Sequence, residues 1–346
     1  TAYRVLVRGR VLRDRGISPS TPDDSRWTNL RNTWRRLASA EVPYAQVEVQ
    51  FRRSVAEVVA DDEGHFQAVL SVEDPPTGDQ LWYPAELRLQ RPRAEQPVVE
   101  RTLVMVPKAH ADFGVISDVD DTIVRSDVAR TALMAGRVLF GNAHTRSPFP
   151  GVAPFFRALH QGAAGDTSRP VFYVSSSPWN LYDVLLHFLE LRQIPIGPLE
   201  LRDWGSLRQE LRRDRHRDHK LQAIRRIFQM FPSLPFILIG DSGQQDPETY
   251  LDLIREFPDR VLSVYIRNLK RDPLRAAAIR DLADEVESAG SSLVLADDTL
   301  AAARHAVGNG WIAPEALDQI TGDSEVDQWR TGAHQRERTA IIDDHA

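Results

Sequence analysis

The stretch "FGVISDVDDTIV", Phe113–Val124, sets an apolar run directly before three carboxylates, Asp118, Asp120 and Asp121. A short continuous apolar run suits a strand buried on both faces. Acids crowded at its end repel one another, so either water or a cation has to offset them. Similar runs recur at "PVFYV" (170–174), "PFILIG" (235–240), "VLSVYI" (261–266) and "SSLVLA" (291–296). Between and after them, helical periodicity appears in "APFFRALHQG", "NLYDVLLHFLELR", "KLQAIRRIFQMF", "PETYLDLIREF" and "TLAAARHAV". Strands alternating with helices predict an α/β fold, a Rossmann-like parallel sheet with helices on both faces.

Ligands of such a sheet collect beyond the carboxyl ends of the strands. The residues just after each run are therefore the informative ones. They are Asp118, Asp120 and Thr122 after the first run, Ser175, Ser176 and Ser177 after the second, and Asp241 with Asp246 in "GDSGQQDPE" after the third. Lys220 opens the helix predicted before that third strand. It is one of only three lysines, with Lys108 and Lys270, among 43 basic residues, so an ammonium retained there is a candidate for a role arginine cannot fill.

This set of groups suits phosphoryl transfer. Asp118, Asp241 and Asp246, with Asp120 counted among them, can hold a hard cation, and Mg²⁺ fits because it takes few protein ligands and keeps waters. The cation screens the repulsion between carboxylate and phosphate. Asp118 is the expected nucleophile, forming an aspartyl-phosphate. Asp120 protonates the leaving oxygen and then deprotonates water. Ser175 and neighbouring amides, with Thr122, Ser176 and Ser177, hold phosphoryl oxygens at a helix start, and Lys220 neutralises phosphate and nucleophile together.

The competing readings are plainer. A solvated acidic turn would explain Asp118 to Asp121 alone, but not the acids repeated after another strand. An EF-hand loop from Asp118 would need glycine at Ile123 and glutamate at Ala129. Asp121 reads as structural or solvent-facing, and Asp297 with Asp298 as an N-cap for the last helix. The histidines, His216 and His219 included, show no metal spacing.

Residues 1–107 read as a small all-β sandwich. Alternating segments appear at "YRVLVRGRVL", "AQVEVQF", "SVAEVVA", "HFQAVLSV", "AELRLQ" and "RTLVMV", with turn signals between several of them. One segment departs from this: near 26–38, Trp27, Leu30, Trp34 and Leu37 fall at helical spacing, an amphipathic helix packed on the sandwich or, as the minority reading, lying on a membrane surface. The α/β domain is expected over 108–321 and a charged, flexible tail over 322–346.

Composition bounds the rest. The 346 residues carry a net charge of -6, against a chain whose main partner is nucleic acid. There is no cysteine, which excludes thiolate catalysis and cysteine-held metals. No apolar run approaches a membrane span of roughly 20 residues, and the N-terminal stretch lacks a signal-peptide core, so a cytoplasmic location is the default expectation.

The motifs resemble a known superfamily. "DVDDT", "FYVSSS", Lys220 and "GDSGQQD" are similar, in order, to the four motifs of the haloacid-dehalogenase-like (HAD-like) phosphatases. Aspartate at position 120 implies there a phosphatase or phosphotransferase. Over most of 110–310, "SDVDDTI", "PFPGVAPFFRALH", "FYVSSSPWNLYDVL", "LRDWG", "HK", "ILIGDSGQQDPETY" and "FPDRVLSVYIR" resemble the actin-patch-associated phosphatidate phosphatase family, which is related to lipins. The resemblance implies Mg²⁺-dependent conversion of phosphatidate to diacylglycerol. It carries Asp118 over as nucleophile, Asp120 as acid/base, Ser175 and Lys220 as phosphate stabilisers, and Asp241 with Asp246 on the metal side.

The spacing adds a hint about substrate. Only a short insertion, residues 125–149, is left to act as a lid, a minimal cap that suits an open site and a substrate attached to something large. The basic stretch "LRDWGSLRQELRRDRHRDHK" could meet anionic headgroups, or be a solvated helix with internal ion pairs. The favoured reading is a lipid phosphate phosphatase whose partner is an anionic phospholipid at a membrane surface. A soluble or macromolecular phosphate, or a lipid-binding scaffold with a vestigial phosphatase fold, are the alternatives.

Overall fold

In a computed structural model, the structure describes residues 3–13, 41–78, 80–108, 111–124, 148–165, 169–202, 213–269 and 272–325. The expected helix near 26–38, the lid up to residue 147, the middle of the basic stretch (203–212) and the tail beyond 325 lie outside the described residues. The chain divides into two compact units, Thr1–Ala109 and His110–Ala346.

In the first unit, β1 (Tyr3–Arg10) pairs antiparallel with β4 (His65–Val72). A second antiparallel sheet runs in the order β3 (Ser54–Val59), β2 (Gln46–Phe51), β5 (Trp82–Arg91) and β6 (Val99–Met105). Alternation puts every second side chain inward. Val5, Val7, Leu70 and Val72 of the first sheet thus share one core with Val47, Val49, Phe51 and Ala85 of the second.

The second unit is built on six parallel strands. They are β7 (Gly114–Asp118), β8 (Val171–Pro178), β9 (Leu199–Arg202), β10 (Phe236–Asp241), β11 (Val261–Arg267) and β12 (Leu293–Ala296), in the order β12-β11-β10-β7-β8-β9. The helices are α1 (Val152–Gln161), α2 (Tyr182–Leu191), α3 (Arg213–Met230), α4 (Asp246–Glu256), α5 (Pro273–Ser288) and α6 (Thr299–Gly308), followed by α7 over 316–325. Every residue of β7 and of β10 is buried, which explains why their sequences run apolar without alternation. Val115, Tyr173, Ile237 and Ile239 pack with α1, α2 and α6. Phe172 and Phe236, one position off, pack instead against Phe228 of α3 and the following Phe231.

From β7 the chain builds outward through β8 and β9, then returns to the other side of β7 for β10, β11 and β12. The order reverses beside β7, and the crevice of a parallel sheet opens at such a reversal. β7 and β10 are neighbours there, and both end in aspartate.

Five features depart from the sequence expectations. β9, "LELR", and α5 had no apolar run or stripe to mark them. β8 continues through the three serines instead of ending before them. Lys220 lies inside α3 rather than opening it, since the helix starts at Arg213. α7 runs past residue 321, where a frayed tail was expected. Its Asp323 accepts the Gly151 N–H at 3.2 Å, which ties it to the start of α1.

Candidate active site

After β7 the backbone closes one tight turn. The amides of Ile123 and Val124 both donate to the Val119 carbonyl, at 3.0 and 3.1 Å. Asp121 takes φ 59°, a left-handed conformation that aspartate tolerates better than most residues. Its N–H donates to the Val124 carbonyl at 2.9 Å and helps close the turn. The turn is braced by Arg267 at the end of β11, whose Nε donates to the Thr122 carbonyl at 3.2 Å and whose guanidinium lies 4.2 Å over the Phe149 ring.

Asp118, Asp241 and Asp246 converge so that one oxygen from each lies within 4.8 Å of the others, all three being buried. Lys220, 3% exposed, reaches them from α3. Its Nζ is 3.0 Å from Asp118 Oδ1 and donates to Asp246 Oδ1 at 2.6 Å. Asp246 Oδ2 accepts the Asp241 N–H at 3.1 Å. That approach requires Gly240, because a Cβ there would stand 2.5 Å from Asp246 Oδ2. Asp241 Oδ1 accepts the amides of Gly243 and Gln244, at 2.7 and 3.0 Å, and so folds its own loop around itself.

Three buried carboxylates share one ammonium, and their ionisation reflects it. Burial raises Asp118 well above the usual carboxylate range; Lys220 pulls it back, while Asp246 and Asp241 push it up again. Burial and then the Asp246 charge bring Asp241 up to about 7, against Lys220 and the Gly243 amide. Burial opposes the charge of Lys220, but Asp118 and Asp246 outweigh it and hold the ammonium above its ordinary value. An all-oxygen, acid-rich cluster of this kind fits a hard divalent cation.

The Asp120 carboxylate lies apart. Its Oδ2 accepts from Ser175 Oγ at 2.8 Å and from Ser177 Oγ at 3.0 Å, while Ser175 Oγ in turn accepts the Ser177 N–H at 2.9 Å. Two seryl hydroxyls thus hold the Asp120 carboxylate, while its main-chain oxygen accepts from Gln244 Nε2 at 3.4 Å beside the cluster. Ser175 is fully buried and spends its hydroxyl on Asp120. Thr122, also buried, donates weakly to Asp118 Oδ2 at 3.5 Å. Ser176 lies between the two serines that hold Asp120.

Sequence reasoning missed three residues. Gln244 sends its Nε2 among Asp118 Oδ2, the Asp120 carbonyl and Asp241 Oδ2, at 3.3, 3.4 and 3.0 Å. Arg275, on the unforeseen α5, holds that loop through the Ser242 and Gln244 carbonyls at 3.0 and 2.9 Å, and pairs with Glu248. Arg267 stands at a strand's carboxyl end, where the reading that found the aspartates applied equally. Asp298 accepts the Ala301 N–H and caps α6, and Asp297 accepts from Asn268.

Residues 113–268 match the family model described as phosphatidate phosphatase APP1, catalytic domain. Phosphatidate phosphatase APP1 of Saccharomyces cerevisiae is 32% identical over 155 residues, 45% of this chain and 26% of that protein. An uncharacterized protein of Schizosaccharomyces pombe is 27% identical over 195 residues, 55% of this chain and 31% of its own length. The matches thus span about a third or less of either relative. Among solved structures, a carbohydrate acetylesterase from Xanthomonas citri overlaps 72% of this chain and 70% of its own at 14% identity and a TM-score of 0.26, too slight a likeness to speak for the fold. The converging aspartates, Lys220 and the serines around Asp120 all fall inside the matched stretch, which is similar to the catalytic domain of APP1-type phosphatidate phosphatases.

Proposed function

We propose that this chain is a divalent-cation-dependent phosphatase of HAD-like fold that removes phosphate from phosphatidate, giving diacylglycerol. The observation that carries the reading is the separation of two acids two residues apart. Asp118 sits in the buried cluster with Lys220, and Asp120 is turned away to the serines. A nucleophile and a general acid need such different surroundings. The sheet order and the family match support the fold and the substrate.

Asp118 attacks phosphorus, forming the acyl–phosphate bond as the ester P–O bond breaks. Asp120 delivers its proton to the departing glycerol oxygen. It then takes a proton from water, which attacks the same phosphorus and releases phosphate and free Asp118. Ser175 and Ser177 keep the Asp120 carboxyl aimed during both transfers. Lys220 orients Asp118 and offsets the negative charge that gathers around phosphorus. Asp118, Asp241 and Asp246, with the Asp120 main-chain oxygen, would hold Mg²⁺, which would supply polarisation of the phosphoryl group and screening from the carboxylates.

Ser176 and Ser177 remain candidates for the phosphoryl oxygens, and Thr122 holds the nucleophile. The β-rich unit precedes the catalytic one as a separate module. No described helix is long and apolar enough to cross a membrane. Phosphatidate, the proposed substrate, is a lipid and would be met at a membrane surface.

The test is phosphate release from phosphatidate in mixed micelles, beside a soluble aryl phosphate, with and without Mg²⁺, with Asp118→Asn protein as the blank. Preference for the micellar substrate is expected. Turnover of the soluble ester alone would keep the chemistry and discard the lipid, and silence on both would discard the phosphatase.

A further inference from the structure

Gln244 occupies an unusual position for a neutral side chain. A carboxamide nitrogen carries two hydrogens, yet Gln244 Nε2 faces three acceptors: Asp118 Oδ2 at 3.3 Å, the Asp120 carbonyl at 3.4 Å and Asp241 Oδ2 at 3.0 Å. Its Oε1 points the other way and accepts from Lys220 Nζ at 3.2 Å. The dipole thus lies with its positive end between two carboxylates and its negative end on the ammonium. Those three oxygens are among the ligands assigned above to the cation.

We propose that Gln244 is an internal competitor of the cation: its amide nitrogen fills the cation's place in the metal-free enzyme, and the side chain must swing out before the cation can enter. The inference rests on the cation reading given above. The two occupants exclude one another, because oxygen ligands hold a hard cation at about 2.0–2.6 Å, inside the 3.0–3.4 Å at which the amide already stands. Departure is feasible. Gln244 is half-buried between exposed Gly243 and Gln245, whereas the carboxylates around it are fully buried. Its main chain need not move, being held by Asp241 Oδ1 at the amide and by Arg275 Nη2 at the carbonyl.

The device has two consequences. In the metal-free protein the amide offsets part of the repulsion among Asp118, Asp241 and Asp246. On loading, the cation has to displace charge-assisted hydrogen bonds, so its affinity is lower than the carboxylates alone would give. Glutamine suits this role because it is a partial positive end on a three-torsion arm, strong enough to hold the site and weak enough to leave it.

The experiment titrates Mn²⁺ into the full chain, reading free Mn²⁺ by electron paramagnetic resonance, with melting temperatures taken in chelator and in Mg²⁺. The variants are Gln244→Ala and Gln244→Asn, the second keeping an amide too short to reach the three oxygens. Both are expected to bind Mn²⁺ about tenfold tighter or more, to melt lower than the parent in chelator, and to gain more from Mg²⁺. Equal or weaker Mn²⁺ binding in both variants would overturn the competitor role while leaving the cation reading intact. Absence of Mn²⁺ binding in the parent and the variants alike would overturn both.

Discussion

The two sides of the site handle their acids in opposite ways. At the ends of β7 and β10 the carboxylates are buried and drawn together, with Lys220 and the Gln244 amide set among them. At the end of β8 a single carboxylate, Asp120, is met by two hydroxyls that satisfy it without charge. Burial and mutual repulsion make the first arrangement costly, as the raised Asp118 and Asp241 show. The second is a carboxylate whose hydrogen bonds come from neutral groups. On the function proposed above, such a site puts its electrostatic strain where the cation arrives and its satisfied acid where the proton moves.

The largest expected effect breaks this contrast on the strained side. Asp118→Asn should lower phosphate release by at least roughly a thousandfold, as removal of a covalent nucleophile does. The same change should raise the melting temperature in chelator, since burial already disfavours the charge it removes. Activity that survives would end the aspartyl-phosphate route. A lower melting temperature would mean the carboxylate is a stabilising partner of Lys220 rather than a strained group.

Asp120→Asn probes the other side. Turnover should fall by roughly 10²–10⁴-fold, the span of general acid–base catalysis, and least for aryl phosphates, whose leaving oxygens need little protonation. Mn²⁺ affinity should stay within about twofold, because Ser175 and Ser177 hold the Asp120 carboxylate and the substitution leaves its main-chain oxygen in place. A large loss of metal binding would return the Asp120 carboxylate to the metal set.

Lys220→Met removes the one ammonium that the three acids share. Breaking a buried pair leaves its partner uncompensated at a cost of about 3–5 kcal/mol, and the loss should be read in chelator by denaturant unfolding. Saturating Mg²⁺ should recover part of it. A variant as stable as the parent would show that the cluster is held by the loop amides and Gln244 alone.

Much of this was legible before any coordinates. Apolar runs without alternation marked β7 and β10, and the acids that follow them were found because the carboxyl edge of a parallel sheet is where polar residues have no packing reason to be. What escaped did so for physical reasons. β9 carries Glu200 and Arg202, buried nonetheless, with Glu200 paired to Arg226 at 2.7 Å, so its sequence reads as polar loop. α5 buries Ala276, Ile279 and Val286, too thin a stripe to stand out, although Asp272 and Pro273 at its start were a usable cap signal. The first turns of α3 are arginines and acids, so its apolar pattern begins only near Lys220, which therefore looked like the opening residue. Gln244 was not readable at all. A neutral amide acquires its meaning only from the turn that Asp241 folds around it.

The smallest effect sharpens the contrast along one helix. His219 adjoins Lys220 on α3, yet burial drives it the other way, down to about 4 from an ordinary 6.5. Glu200 works against that fall, but Arg226 and Arg202 press it further down, and no acid is reserved for it as Asp118 and Asp246 are for Lys220. Its folded-state value is depressed, so the unfolded chain takes up the proton first as pH drops. The stability this residue contributes is therefore full above about pH 6.5 and lost as pH falls toward 4. His219→Gln should remove from that window a slope amounting to on the order of 3 kcal/mol, measured by urea unfolding at intervals from pH 7 to pH 4, with little change in phosphate release at pH 7. An unaltered slope would mean that His219 titrates as a solvated imidazole, and that burial on α3 acts on Lys220 alone.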